Sequence, residues 1–289
     1  MAQTQSSRVL CLVILKAFSV SRRFDPSNQT PIAMTAPRVS VITVAYNSAA
    51  TITDTLKSVN QQTYPDIEHL VIDGGSSDDT LALVKTHGAR VTKLLSEPDC
   101  GIYDAMNKGI RLASGDIIGF INSDDFYASP SVLQTVASVF ADPKIQACWG
   151  DLCYVKQYNT DQIIRYWQSS SFLPGLFARG WCPPHPTLFV RRQVFERFGM
   201  FNLSYRIAAD MELMARLIEV HRIQGYYIPQ VLVHMRMGGT TNRSLRNIVN
   251  QNREIWRALR AHRLAPSLLS FVTRKLISRA RQFVRRASA

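Results

Sequence analysis

Between residues 39 and 121 the chain alternates between short β-branched, aliphatic runs and stretches with helical spacing, and this constrains its fold more than any other feature. Val39 to Val44 predicts a strand, Tyr46-Asn47-Ser48 a turn, and Ile52, Leu56 and Val59 the buried stripe of a helix. The pattern returns with a strand over Ile67 to Ile72, a Gly/Ser/Asp loop over Asp73 to Asp79, a helix over Thr80 to His87 and a strand over Val91 to Leu95. A helix over Ile102 to Ala113 ends at Ser114-Gly115, and Asp116 to Ile121 forms a fourth strand. Parallel strands need crossovers that cover both sheet faces, so the expected class is α/β, with a mostly parallel central sheet flanked by helices.

Beyond a helix over Val132 to Phe140 the regularity loosens. Residues 145 to 190 hold short strands and the turn-rich Trp181-Cys182-Pro183-Pro184-His185-Pro186, and are expected to form an irregular region. A last helix spans Ala208 to His221, with Met211, Met214, Leu217 and Ile218 on one face, before a strand over Ile223 to Ile228. With 289 residues, 46% of them hydrophobic, the chain can bury a large core, which argues against disorder.

The net charge of +13 raises nucleic acid or an anionic membrane as partners, but its location decides between them. Residues 243 to 289 carry twelve Lys and Arg against the single acid Glu254, leaving the remainder close to neutral. Specific nucleic-acid binding is not expected, because the charge lies in a tail while the strand-end loops are acidic. Ser267 to Arg286 places Leu268, Leu269, Val272, Leu276 and Phe283 on one helical arc and basic residues on much of the other, a pattern suited to an anionic membrane interface; a solvated helix packed on the main domain and nonspecific nucleic-acid attraction are the alternatives. Five cysteines without metal-type spacing fit a reduced cytoplasmic compartment. Val9 to Val20 is interrupted by Lys16 and is too short to span a bilayer; residues 1 to 36 read as a flexible or mis-assigned extension. The expected organisation is that extension, a main domain over 37–242 and a basic amphipathic helical tail over 243–289.

Carboxylates cluster where strands end. Asn122-Ser123-Asp124-Asp125 follows the fourth strand, and ligands of open α/β sheets bind beyond such ends. Its acids suit a hard divalent cation, though a turn or helix-capping cluster is an equal reading. In Asp73-Gly74-Gly75-Ser76-Ser77-Asp78-Asp79-Thr80 the glycines permit a sharp turn that lets Asp73 face a ligand, while Ser77 or Asp78 can cap the next helix.

Four blocks, Thr43-Val44-Ala45-Tyr46-Asn47, Val71 to Thr80, Asn107-Lys108-Gly109 with Ser114-Gly115-Asp116, and Asn122 to Asp125, together resemble family-2 glycosyltransferases with the GT-A fold, in order and in spacing. The resemblance implies an inverting transferase that moves a sugar from a nucleoside-diphosphate donor, UDP above others, to a saccharide or lipid-linked acceptor in cell-surface polysaccharide biosynthesis. It implies that Thr43, Tyr46, Asn47 and Asp73 lie near the nucleobase, Asp124 near the ribose or sugar, and Asp125 on a Mn²⁺ or Mg²⁺ ion. The family's D-x-D element is degraded here to Asn122-Ser123-Asp124-Asp125, which weakens a two-acid metal clasp and leaves a catalytically inactive sugar-nucleotide binder as the alternative.

Ala209-Asp210-Met211-Glu212 resembles the element that supplies the family's general base, which makes Asp210 the candidate and Glu212 the weaker one; helix N-capping is Asp210's other reading. His185, held between prolines, is expected beside the acceptor, and His234 to Thr241 resembles a segment that closes over the diphosphate, with a plain strand-to-loop exit as its equal reading. Trp149-Gly150-Asp151 reads equally well as an acceptor contact or as a turn. Peripheral attachment at the inner face of the cytoplasmic membrane follows from the tail together with a lipid-linked acceptor.

Overall fold

The structure is a computed structural model that describes residues 36–238 and 245–265, with backbone alone for 245–248. The N-terminal extension, the segment 239–244 and the basic arc over 267–286 lie outside the described residues.

Strand β1 (Val39–Ala45) is buried along its whole length, as its run of β-branched residues requires of a central strand. Helix α1 (Ile52–Asn60) crosses to β2 (Ile67–Asp73), and α2 (Thr80–His87) to β3 (Val91–Ser96), a half-exposed edge. Helix α3 (Ile102–Leu112) then leads to β4 (Ile117–Asn122). These strands pair in parallel in the order β3-β2-β1-β4. Ile42 and Val44 of β1 share one apolar cluster with Ala105, Met106 and Ile110 of α3, while Val39 and Val41 join Val59 of α1 on the other face, as strand alternation dictates. Helix α3 packs close because it presents Gly109 to the sheet: a Cβ there would stand 2.5 Å from Ile42 Cγ2.

The second half of the sheet is mixed. After β5 (Phe126–Tyr127) and α4 (Val132–Val139), β6 (Ala147–Val155) is buried throughout, and β7 (Ile163–Trp167) pairs antiparallel with it. Strand β8 (Phe189–Arg191) is antiparallel to both β4 and β6 and joins the two halves. Helices α5 (Arg192–Phe198) and α6 (Ala209–Met214) follow, the latter continuing over Ala215–Val220 as a π-helix, before β9 (Gly225–Arg236) pairs with β6 and β5. The sequence marks only the start of β9, because Pro229 interrupts the pattern; in the fold the β6–β9 register shifts where Pro229 falls, between the pairs Trp149–Tyr227 and Asp151–Val231, so the missing N–H costs no regular ladder bond.

Part of the expected tail is packed. Helix α7 (Leu245–Ala261) buries Ile255, Ala258 and Leu259 in the same apolar cluster as Met211, Leu213 and Met214 of α6. Among the described residues, no helix is long and apolar enough to cross a membrane.

Candidate active site

The register of the parallel strands builds the site. Ala45 pairs with Asp73 and Val44 with Asn122, so the loops after β1, β2 and β4 leave the sheet side by side. They are knitted together by short polar contacts. Asn47, in the left-handed region at φ 47°, donates its N–H to Ser76 Oγ at 2.8 Å and accepts from Ser77 N–H through its side chain at 2.9 Å. Ala49 N–H reaches Asp78 Oδ2 at 3.0 Å, and Ser48 Oγ lies 2.7 Å from Ser123 Oγ in the β4 loop. Asp78 also accepts the N–H of Thr80, the first residue of α2, whose N-cap is Asp79 without a side-chain cap bond, and the Thr80 hydroxyl helps hold the Asp78 carboxyl below the usual carboxylate range.

Asp73 is fully buried. It organises its own loop, accepting from the N–H groups of Gly75 at 3.1 Å and Ser76 at 2.9 Å, and from the hydroxyls of Ser76 and Ser96. Beside it Tyr46, Gly74 and Asp99 meet at one corner. The ring of Tyr46 is 65% exposed, and a Cβ on Gly74 would meet Asp99 Oδ2 at 2.5 Å and Tyr46 Cδ2 at 3.4 Å. Asp99 therefore shares this place with Tyr46, although only its position just beyond β3, a third strand-end acid, marks it in the sequence. Thr43 stands apart from the group. It is buried inside the sheet with its hydroxyl 2.9 Å from His69 Nε2, and full burial holds the His69 imidazole down to about 3, so the ring is neutral.

Asp124 is half-buried and Asp125 fully buried. Burial pushes both carboxyls up, and the Asp124 charge pushes Asp125 further; the Asn122 amide, donating to Asp125 Oδ2 at 3.0 Å, and the nearby Arg236 oppose this. Asp125 Oδ1 and Asn122 Oδ1 are both buried without a hydrogen-bond partner. Such a pair of orphaned hard oxygens beside a second carboxylate fits Mn²⁺ or Mg²⁺. Among the described residues no group of three or more His, Cys, Asp or Glu forms a cation cage, so phosphate oxygens or water would have to complete the coordination. Arg236 closes this corner, donating to the Asp124 carbonyl at 2.8 Å and to the Asp54 carboxylate, with its guanidinium 5.1 Å from the Phe126 ring centre.

Asp210 sits in the first turn of α6, where Tyr103 of α3 donates toward its Oδ1 at 3.1 Å and toward the Ile207 carbonyl at 2.9 Å. Burial and the Asp210 charge hold the Tyr103 phenol well above its ordinary value, so it remains a donor. Its ring stacks on Phe201 at 5.4 Å, and Phe201 lies edge-on to Phe120 and His185. His185 stacks on Phe120 and its buried Nε2 has no partner; burial lowers its pKa against the opposing Asp210 charge, which leaves a neutral ring. Glu212 is otherwise engaged. It is buried and bound by Arg216 Nε at 2.9 Å and His262 Nε2 at 2.7 Å, which removes it from consideration as a base. The Asp151 carboxylate is likewise occupied, by Ser169 N–H and the Tyr166 and Tyr227 hydroxyls, and His234 packs edge-on to Phe126.

The Asn107-Lys108-Gly109 block anchors α3 to its neighbours on both sides. Asn107 exchanges two 2.9 Å hydrogen bonds with the Phe201 backbone, and Lys108 holds the loop carrying Asp99 through Glu97 at 2.9 Å and the Pro98 carbonyl at 2.8 Å. One helix thus ties the corner of Tyr46 and Asp99 to the Asp210 cluster. Residues 40–198 match the family described as Glycosyl transferase family 2.

The chain belongs to that family.

An uncharacterized glycosyltransferase of Mycobacterium tuberculosis is 35% identical over 187 residues, 63% of this chain and 69% of the relative. A PGL/p-HBAD biosynthesis glycosyltransferase of the same species is 30% identical over 213 residues, 72% of this chain and 81% of the relative. Among solved structures, the mannosyltransferase PcManGT from Pyrobaculum calidifontis, in complex with GDP-Man and Mn²⁺, superposes with a TM-score of 0.59 at 22% identity over 87% of this chain and 70% of that one. TarS 1–349 from S. aureus, in complex with UDP-GlcNAc, gives 0.61 at 17% identity over 78% and 65%. These likenesses show the GT-A fold, and family membership makes the chain a glycosyltransferase.

Proposed function

We propose that this transferase is an inverting enzyme that carries a sugar from a nucleoside-diphosphate donor, UDP above others, to a saccharide or lipid-linked acceptor in cell-surface polysaccharide biosynthesis. The observation that carries this reading is the N-terminal turn of α3. Asp99 just before it packs beside Tyr46 and Gly74, and Tyr103 within it bonds to Asp210, so the N-terminal end of this helix links the loop proposed to take the nucleotide with the candidate base. The exposed Tyr46 ring offers a face for the nucleobase, and Asp73 and Asn47 hold the backbone around it, leaving Thr43 a role inside the sheet. Asp124 faces the sugar and ribose. A Mn²⁺ or Mg²⁺ ion held by Asp125 with Asp124 would neutralise charge on the departing diphosphate.

Asp210 takes the proton from the acceptor hydroxyl, and the Tyr103 hydrogen bond fixes its orientation. The neutral His185, with a free ring nitrogen in the same cluster, lines the acceptor side. Attack from the face opposite the diphosphate inverts the anomeric centre. Names among the relatives and neighbours support donor and setting: one is assigned to PGL/p-HBAD biosynthesis, and the two neighbours were captured with UDP-GlcNAc and with GDP-Man plus Mn²⁺. Attachment of a cytoplasmic enzyme to an anionic membrane face rests on the basic arc over 267–286 and on a lipid-linked acceptor.

A thermal-shift panel of UDP- and GDP-sugars with and without MnCl₂ tests the donor, with metal-dependent stabilisation by one nucleotide series expected. Asp210→Asn is expected to keep that stabilisation and lose transfer by roughly 10²- to 10⁴-fold. A variant that still turns over at the parent rate removes Asp210 as the base. Donor binding without turnover in the parent would favour the inactive binder instead.

A further inference from the structure

The single acid of the basic stretch 243–289 is Glu254, which lies half-buried on α7. From α7 its carboxylate accepts three consecutive backbone N–H groups in the segment leading into α6: Arg206 at 3.2 Å, Ile207 at 2.8 Å and Ala208 at 3.0 Å. Ala208 stands at the N-cap of α6, where an amide has no partner within the helix, and an acid 46 residues later supplies one. The Ile207 residue is gripped twice, since its carbonyl accepts from the Tyr103 hydroxyl that also reaches Asp210. Other contacts fix α7 against the same stretch. Arg257 donates to the Ser204 carbonyl at 2.6 Å and stands 4.4 Å from the Tyr205 ring centre, and His262 binds Glu212.

We propose that Glu254 is a positioning residue for glycosyl transfer, holding the 206–208 backbone so that Asp210 meets the acceptor hydroxyl in register. The inference rests on Asp210 being the base. Glu254 touches neither donor nor acceptor, so its loss acts on the reacting geometry and not on nucleotide affinity. Gln at this position keeps the size and one acceptor oxygen but puts an NH₂ group against donors, and should fall between the parent and Ala.

The test uses the full chain with Glu254→Ala and Glu254→Gln. Hydrogen exchange is expected to quicken by about tenfold or more at the amides of 206–208 in Glu254→Ala, with β1 and β2 unaffected. Turnover of the nucleotide sugar that stabilises the parent most should fall on the order of 10- to 100-fold. The Kd for UDP with MnCl₂, measured by calorimetry, should stay within about twofold, and Glu254→Gln should recover part of the turnover. Unchanged exchange at 206–208, turnover near the parent's, or UDP affinity lost in parallel with turnover would each overturn the proposal. Asp210→Asn separates the two readings: if it turns over normally, the base assignment fails and takes this inference with it. If it is inactive while both Glu254 variants work normally, only the positioning role is lost.

Discussion

Gly74 and Gly75 are neighbours with different physical jobs. Gly75 adopts φ +82°, which an L side chain resists, whereas Gly74 has an ordinary backbone but no room, its Cβ position falling 2.5 Å from Asp99 Oδ2. Gly75→Ala is therefore expected to cost about 1–2 kcal/mol of stability through backbone strain. Gly74→Ala should leave the melting temperature nearly unchanged yet push Asp99 and Tyr46 apart and weaken UDP binding by about tenfold or more, a loss of roughly 1.4 kcal/mol or more. Calorimetry and thermal melts on the pair check both; equal UDP affinity in Gly74→Ala and the parent would mean that the base does not lie beside Tyr46 and Asp99. The sequence places Asp73 at a turn and an acid at each strand end, but it cannot distinguish an acid that meets a ligand from one consumed by its own loop. Asp73 takes four hydrogen bonds from Gly75, Ser76 and Ser96, and that bonding pattern exists only once β2, its loop and β3 have come together.

Glu68 does for the strands what Lys108 does for the loops. Buried in β2, it accepts from Ser40 of β1 at 2.6 Å, from the Ser114 N–H and hydroxyl at 2.7 and 2.8 Å, and from Lys93 of β3 at 3.0 Å. Burial alone would raise its carboxyl, but these bonds outweigh it and bring the pKa down to about 2. A carboxylate depressed in the folded state stabilises above its unfolded value, and the contribution disappears as pH falls through the folded value. Glu68→Gln should thus cost about 2 kcal/mol near neutral pH, by analogy with other buried hydrogen bonds to charged groups. Urea melts should show that gap closing between about pH 4.5 and pH 2; a gap independent of pH would mean that the charge contributes nothing. Most elements were legible from periodicity, with helices α1 to α4 and strands β1 to β4 falling within a residue or two of expectation. The β6, β8 and β9 pairing was not, because a three-residue strand and one interrupted by Pro229 carry almost no period-two signal.

At the scale of the whole chain, α7 belongs to the folded body. Removing everything after Asn242 exposes the surface that Ile255, Ala258 and Leu259 cover, worth about 4–5 kcal/mol by side-chain transfer values. A drop in melting temperature of roughly 10 °C or more is expected. A chain ending at Ala265 keeps those contacts, so comparing it with the full chain isolates residues 266–289. Loss of binding to anionic vesicles on that shortening is the expected outcome by cosedimentation, and equal binding by both chains would remove the tail from membrane attachment. The charge asymmetry that marks 243–289 as one unit in the sequence conceals a division, since apolar packing on α6 begins before the basic arc does.

Local order along the chain was sufficient to determine the α/β class, the crossovers and the acids at strand ends, because periodicity and turn chemistry act between near neighbours. The tertiary structure alone decided that Asp73 is bound by its own loop and Ser96, that Thr43 faces His69 inside the sheet, and that an acid from the basic end binds the backbone just before Asp210. Those outcomes depend on strand register and on helices packed far apart in sequence, and hydrogen bonds across such distances leave no periodic trace in the residues that make them.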